Sequence, residues 1–345
     1  LKKGISRPLH NPICGQIRAF FAGFGFFANR LYSLAYVRFA KNRPGFEIIE
    51  FAPQSGLCNG LLLILLPWLL FAVPDAPGRP YRPPYVSGDA FRWYSDYAYD
   101  EVDKSLDPAS VKPSGVVFVK TDFLGEFFEE IHPRIPVRYI LIAHNSDAPT
   151  PGPFAKYLDD EKLIAWFGQN FDGQAHPKMH PIPMGIANSC WQHGNVDMLE
   201  QARLEKRGKK YLAHMQFTIQ TNSEERMPVY RQFSAAPFCS KPPKKPFRLY
   251  LADIGAAMFE IAPRGNALDT HRIWESLYMG TIPVVRTSSL DGLYADLPIL
   301  IIERWKNVTG EFLEEKYDEF SREEFYLDKL DIDYWTKLID SYKET

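Results

Sequence analysis

Met258-Phe-Glu-Ile-Ala262, Pro263-Arg-Gly-Asn-Ala-Leu268, Asp269-Thr-His-Arg-Ile-Trp-Glu-Ser-Leu-Tyr-Met279 and, after Gly280 and Thr281, Ile282-Pro-Val-Val285 read as strand, loop, helix and strand. Two short apolar runs on either side of a helical stretch form the repeating unit of a parallel sheet with crossover helices. The loop contains a glycine and runs into a helix N-terminus, which offers free backbone N–H groups and the positive end of the helix dipole. That suits an anion of diphosphate size, and Arg264 adds a cation beside it. Along the helix Ile273, Trp274, Leu277 and Tyr278 form the stripe that must be buried, while Arg272, Glu275 and Ser276 share another face. Glu275 is therefore expected on an accessible side near the helix start, able to accept hydrogen bonds from both ribose hydroxyls of a nucleotide. The competing reading is a solvated Arg272 to Glu275 pair.

Upstream, Tyr211 to Phe217 can open the same sheet. Thr221-Asn-Ser-Glu224 has the spacing of a capping box for the helix that carries Arg226, and Pro237 to Pro246 is a loop. With the charged connector Arg203 to Lys210 before them, these elements define a C-terminal Rossmann-like domain over 206–345.

A second set begins at Gly115. Val116–Val119, Tyr139–Ala143, Leu163–Phe167 and Pro181–Ala187 are expected strands, with a helix over Phe123–Ile131 after the first. They run into Lys120-Thr-Asp122, His144-Asn-Ser-Asp147, Gly168-Gln-Asn170 and Asn188. In an open parallel sheet the carboxyl ends of the strands line one crevice, so these tips are expected to gather. Such groups can bind sugar hydroxyls, and an imidazole or carboxylate can take a proton from one. Asp122, Asn145, Asn170 and Asn188 are the expected acceptor ligands, with Asp147 as first and His144 as second choice of base. A solvated loop polar residue explains any single asparagine equally well. The fold class is thus α/β: two Rossmann-like domains, 85–205 and 206–345, whose parallel sheets face a central cleft, preceded by an N-terminal extension over 1–84.

In that extension Phe51 to Pro74 carries no charge, and residues 1 to 50 hold eight Lys or Arg against Glu47 and Glu50. Residues 57–73 read as a signal-anchor under the positive-inside rule, followed by a proline-rich stem over Pro74–Pro84. The span is short of the ~20 residues that a bilayer needs and Pro67 interrupts it, so a buried helix after a Phe46–Phe51 strand is the alternative. The first reading places the chain in the Golgi or endoplasmic reticulum membrane as a lumen-facing type II protein, the second in the cytoplasm. The chain begins at Leu1, which leaves an upstream start open. Gly23-Phe-Gly25-Phe-Phe-Ala28 matches a dinucleotide-loop spacing but follows no credible strand.

The formal charge of −2 gives no bulk attraction to nucleic acid. The four cysteines, Cys14, Cys58, Cys190 and Cys239, form no C-x-x-C pair. His176 and His180 stand four apart, yet the prolines around them oppose a metal-binding helix. Asp331-Ile-Asp333 is the sole D-x-D, and it lies in an amphipathic stretch rather than at the end of a buried strand. Metal-independent chemistry with no cofactor is expected.

Pro263-Arg-Gly265, the Arg272 to Glu275 spacing and Gly280-Thr-Ile-Pro-Val-Val285 together resemble the donor-binding motif of exostosin-like glycosyltransferases, which are similar to other transferases of the GT-B architecture. Val116 to Trp305 also resembles members of that broad group. Thr281 stands where exostosins commonly have cysteine, and Asn266-Ala-Leu-Asp269 departs from their usual loop. The resemblance implies transfer of a sugar from a nucleoside-diphosphate sugar to a glycan or glycoconjugate hydroxyl, donor in the C-terminal domain and acceptor in the N-terminal one. The donor set is then Arg264, Gly265, Asn266, Asp269, Thr270, Arg272 and Glu275, with Arg226. Arg264, Arg272 and the helix start would neutralise the departing diphosphate. A sugar-binding protein without turnover is the rival on the same fold.

Overall fold

The computed structural model describes residues 80–205 and 208–343. The 57–73 span, the Phe46–Phe51 strand, the Gly23–Ala28 pattern and most of the stem lie outside them. Among the described residues no helix is long and apolar enough to cross a membrane.

Two five-stranded sheets are present, both wholly parallel, as the β-α-β reading requires. The first holds β1 (Tyr97–Tyr99), β2 (Gly115–Lys120), β3 (Tyr139–His144), β4 (Leu163–Gln169) and β5 (Met179–Ile182), side by side in chain order. Sequential order with right-handed crossovers puts the connections on one face. There Phe127, Phe128, Ile131 and Leu158 cover Val117, Val119, Leu141 and Trp166. The alternate residues Val116, Phe118, Ile140, Ile142 and Phe167 point the other way, the period of two that a pleated strand imposes. The helix expected over Phe123–Ile131 is a series of short turns, Thr121–Phe123, Leu124–Glu126 and Phe127–Ile131, the last of π type. Its apolar residues still face the sheet. The fourth expected strand shifts to Met179–Ile182, ahead of Pro183, whose missing N–H cannot join a ladder.

The second sheet runs β10 (Leu300–Ile302), β9 (Ile282–Arg286), β8 (Ala257–Ile261), β6 (Tyr211–His214), β7 (Cys239–Ser240). Besides α1 (Gly88–Tyr94) in the first domain, the longer helices are α2 (Val196–Leu204), α3 (Ser223–Ser234), α4 (Phe247–Gly255), α5 (His271–Tyr278), α6 (Gly310–Phe320) and α7 (Ile332–Asp340). The N-cap of α3 is Asn222, which accepts from the Glu225 amide. Thr221, the expected cap, instead meets the Arg226 guanidinium.

The stripe on α5 is buried as its spacing demands, and it joins a single apolar core with residues of the other sheet: Ile273, Trp274 and Leu277 share a cluster with Val116, Phe118 and Ile140. Each such side chain contributes about 1.5–3 kcal/mol. The last helix, α7, returns to the first domain. Its Trp335 and Ile339 join the core beside Phe91, and Tyr94 donates to Asp340 at 2.6 Å.

One buried polar group stitches the domains inside this core. The Asp269 carboxylate, 1% exposed, accepts from the Met184 amide at 2.7 Å, Trp274 Nε1 at 2.9 Å, Tyr294 hydroxyl at 3.1 Å and Thr270 amide at 2.9 Å. Met184 follows β5 of the first domain; the other donors belong to the second. Burial raises the Asp269 carboxyl to about 6, against the pull of the four donors. Asp269→Ala leaves those donors without an acceptor and is expected to lower the unfolding free energy by about 3 kcal/mol or more. Asp269→Asn, which keeps one oxygen, loses less. Denaturant midpoints of the three proteins check both expectations.

Candidate active site

The start of α5 is built to leave backbone donors open. Thr270, the N-cap residue, has the extended backbone of a cap (φ −140°, ψ 145°), yet its side chain makes no capping bond, and its Oγ1 is buried without a partner. A cap hydroxyl normally satisfies an amide of the first turn. Here the amides of His271 and Arg272, which have no intrahelical acceptor, stand beside a cavity of about 1100 Å³. Thr270, His271, Arg272 and Glu275 form one wall; Gln216, Phe217 and Thr218 after β6 and Lys241 to Pro246 after β7 form others; Gln192, His193 and Met198 close it from beyond β5. Six cationic side chains line it, Arg226, Lys241, Lys244, Lys245, Arg248 and Arg272, against one carboxylate, Glu275.

A buried charge network holds this wall. Glu260 on β8 and His214 on β6 are both fully buried, with His214 Nδ1 donating to Glu260 Oε2 at 2.5 Å. The other oxygen of Glu260 lies 3.1 Å from Arg272 Nε. Arg272 also donates to the Gln216 carbonyl. Burial opposes its charge, but Tyr250, Glu260 and Glu275 outweigh that, so its pKa rises. Glu275 is 3% exposed and accepts from the Tyr250 hydroxyl at 2.9 Å. Burial lifts its carboxyl to about 7, with Arg272 and Tyr250 pulling the other way. The expected open helix face is thus a buried wall. Arg272 pairs across to β8 rather than along the helix to Glu275, because β8 brings a desolvated carboxylate directly beneath it.

Arg226 acts as a clamp. It donates to the carbonyls of Arg264 at 2.9 Å, Thr218 at 2.8 Å and Pro263 at 3.2 Å, and its guanidinium faces the Phe217 ring at 5.4 Å. Gly265 fits because a Cβ there would meet Arg226 Nη2 at 3.0 Å. Arg264 points elsewhere: its half-exposed side chain pairs with Glu225 at 3.7 Å, beside two smaller hollows that Arg286 also lines. Asp269 lies in the core rather than on the cavity wall.

In the first domain the strand tips do meet, and they bond chiefly to one another. Ser146 donates to Asp122 at 2.6 Å, Gln169 accepts from the Asn145 amide at 3.0 Å, and Asn188 Nδ2 donates to Asn145 Oδ1 at 2.9 Å. Gly88 packs against this knot, where a Cβ would fall 1.7 Å from Asn145 Oδ1. Asn170 donates to the Asp147 carbonyl at 2.7 Å and accepts from the Leu268 amide at 2.8 Å, a second tie between domains. Asp147 is exposed and accepts from Asn266 at 3.0 Å. Both ring nitrogens of His144 are engaged, Nε2 donating to the Pro183 carbonyl at 2.9 Å and Nδ1 accepting the Asn145 amide at 2.7 Å. Burial drives its pKa down to about 4. None of these tip residues lines the large cavity.

The cavity instead presents groups that the sequence reading passed over: His271, Tyr250, Gln216 and the lysines of Lys241-Pro-Pro-Lys-Lys-Pro246. The available signals were the basic charge of that loop and the place of His271 next to a cap. Elsewhere, His180 sits on β5 against Tyr342 and His176 beside Asp159. Among the described residues no three His, Cys, Asp or Glu side chains gather as a metal site would require.

No family model matches the chain, and no curated protein matches it. Among solved structures it is similar to an α,α-trehalose 6-phosphate synthase from Burkholderia multivorans, with 11% identity and a TM-score of 0.34 over 68% of this chain and 71% of that one. An α,α-trehalose-phosphate synthase (UDP-forming) from Burkholderia vietnamiensis gives 11% identity and a TM-score of 0.33 over the same shares. A likeness this slight says nothing of what the chain acts on.

The charge network makes its own forecast. Glu260→Gln keeps the volume and removes the charge that Arg272 faces, so it is expected to destabilise the fold by about 3 kcal/mol. Chemical denaturation checks this, and a loss under 1 kcal/mol would contradict it.

Proposed function

We propose that the chain is a glycosyltransferase that moves a sugar from a nucleoside-diphosphate sugar to a hydroxyl of a glycan or glycoconjugate. The observation that carries this is the uncapped start of α5, with the buried, unpartnered Thr270 hydroxyl and the held guanidinium of Arg272, opening onto a roomy cationic cavity. Uncapped amides, a helix dipole and fixed cations are what a diphosphate needs in order to bind, and to leave carrying negative charge. The volume exceeds that of a typical small-molecule pocket, which leaves room for a donor and part of an acceptor.

Glu275, at the far end of the same wall, is the proposed partner of the ribose hydroxyls, with Tyr250 fixing its carboxylate. Arg226 is proposed to act by shaping the Pro263–Gly265 loop, because its donors are already committed to that loop and to Thr218 and Thr221. The finer class, exostosin-like hexosyl or pentosyl transfer, rests on the resemblance of Pro263-Arg-Gly265, Arg272 with Glu275, and Gly280 to Val285. Metal-independent turnover is part of the same proposal, with Arg272 and the loop lysines neutralising the diphosphate.

The test is ligand-induced stabilisation. UDP, GDP or ADP should raise the melting temperature, since a ligand that binds only the folded state stabilises it. No shift with any of the three would end the reading. For a nucleotide that binds, affinity should fall as pH drops. Hydroxyl donors prefer the ionised carboxylate, and Glu275 takes up its proton near pH 7. The expected change is about tenfold between pH 8 and pH 6. Glu275→Gln should bind more weakly at pH 8 and lose that dependence; calorimetry at both pH values checks it.

A further inference from the structure

We propose that His271 is the proton acceptor of this site, taking the proton of the attacking hydroxyl on Nε2. The assignment rests on the transferase reading above. Its basis is the fixed tautomer of the ring. Nδ1 lies 2.8 Å from the Gly185 carbonyl oxygen, which can only accept, so Nδ1 carries the hydrogen and Nε2 the lone pair. Nε2 has no hydrogen-bond partner among the described residues, and His271 is one of the residues that line the cavity.

The orienting carbonyl is itself held. Gly185 has φ +69°, and a Cβ there would fall 2.1 Å from the Val86 carbonyl oxygen. The next amide, of Ile186, donates to that same oxygen at 2.9 Å. A base, an orienter and a rigid support are the arrangement that a positioned proton acceptor requires. His144, by contrast, has both nitrogens engaged.

Several charged and titratable groups surround the ring. His193 lies 6.0 Å away from the loop beyond β5, Asp147 and His144 act from the tip of β3, and Arg272 is the next residue of α5. Burial is the largest influence and lowers the imidazole to about 4, with His193 and Arg272 adding to it and Asp147 opposing. The ring is therefore neutral at pH 7 and free to accept.

As residue one of α5, His271 sits beside the proposed diphosphate and hence near the anomeric carbon. In the step, the acceptor O–H bond breaks and its proton passes to Nε2. The acceptor oxygen bonds to the anomeric carbon, and the carbon–oxygen bond to the diphosphate breaks with its electron pair on the departing phosphate. The imidazolium then returns its proton to water in the open cavity.

The experiment measures nucleoside diphosphate released from UDP-, GDP- and ADP-sugars with water as acceptor, alongside binding of UDP, GDP and ADP. His271→Asn keeps an N–H for the Gly185 carbonyl but has no basic nitrogen. It should bind the nucleotide within about threefold of wild type and lose about 10²–10⁴-fold in kcat. His271→Ala should regain rate on addition of imidazole. Wild-type kcat/KM should fall about tenfold from pH 8 to pH 6 as Glu275 takes up its proton, whereas in Glu275→Gln it should stay level over that range and fall only as pH nears about 4, where the free enzyme's imidazole becomes protonated. Undiminished turnover in His271→Asn overturns the assignment. So does a matching loss of nucleotide binding, which would make His271 a donor ligand, or a loss that imidazole does not relieve and Asp147→Asn reproduces. A wild-type protein that neither binds nor releases nucleotide would sink the transferase reading itself.

Discussion

The Asp269 carboxylate is the point on which both domains depend. It lies in an apolar core where an isolated charge would be prohibitive, and it is tolerated because four donors converge on it from two domains. Three further contacts reinforce the joint. Asn170 accepts from the Leu268 amide, and His271 donates to the Gly185 carbonyl. Tyr278 accepts from the Val86 amide. Together they fix the start of α5 relative to the first sheet to within hydrogen-bond tolerance.

That rigidity has a chemical consequence. The N-terminus of α5 is clamped on one side by the Asp269 joint and on the other by Arg226 and the Glu260 network, so its open amides cannot relax onto a local acceptor. The uncapped Thr270 is the local expense of the arrangement. Positive ends, buried guanidinium groups and a desolvated carboxylate, set before any ligand arrives, are the preorganised electrostatics that a charged leaving group would use. Glu260 and His214 never reach the cavity. Their place is to keep Arg272 aimed in a medium where its charge is felt strongly.

Much of the fold was legible because it follows from local rules. The continuous apolar runs of β2 to β4, buried along nearly their whole length, the apolar stripe of α5 and its arrest at Gly280, where φ is +65°, can be read from the sequence. Strands as short as β1, β7 and β10 were not, since two or three residues carry no periodic signal. Of the proposed site, the α5 start and Glu275 were singled out from sequence, but their surroundings differ from the expectation. Glu275 looked accessible on the helical wheel, yet α4 lays Tyr250 over it. Arg264 looked like an anion ligand by proximity in sequence, yet Glu225 draws it to the other side of the loop. The polar strand tips were expected to face a ligand, and they largely satisfy one another instead.

The sequence by itself determined the strands β2 to β4, β6, β8 and β9 and the helices α3 and α5, that the sheets would be parallel, and that the loop before α5 would present a helix start. Those depend on residue order and the periods of the backbone. Only the tertiary structure decided which polar groups are open and which are consumed. His144 and His271 are both histidines beside strand or helix ends, and nothing in their local sequence separates them. One has both nitrogens bonded, while the other, in a residue that lines the cavity, meets a single carbonyl from the opposite domain and has no hydrogen bond at its second nitrogen among the described residues. A hydrogen-bond inventory closes over contacts distant along the chain, so it is fixed only when the two domains have met.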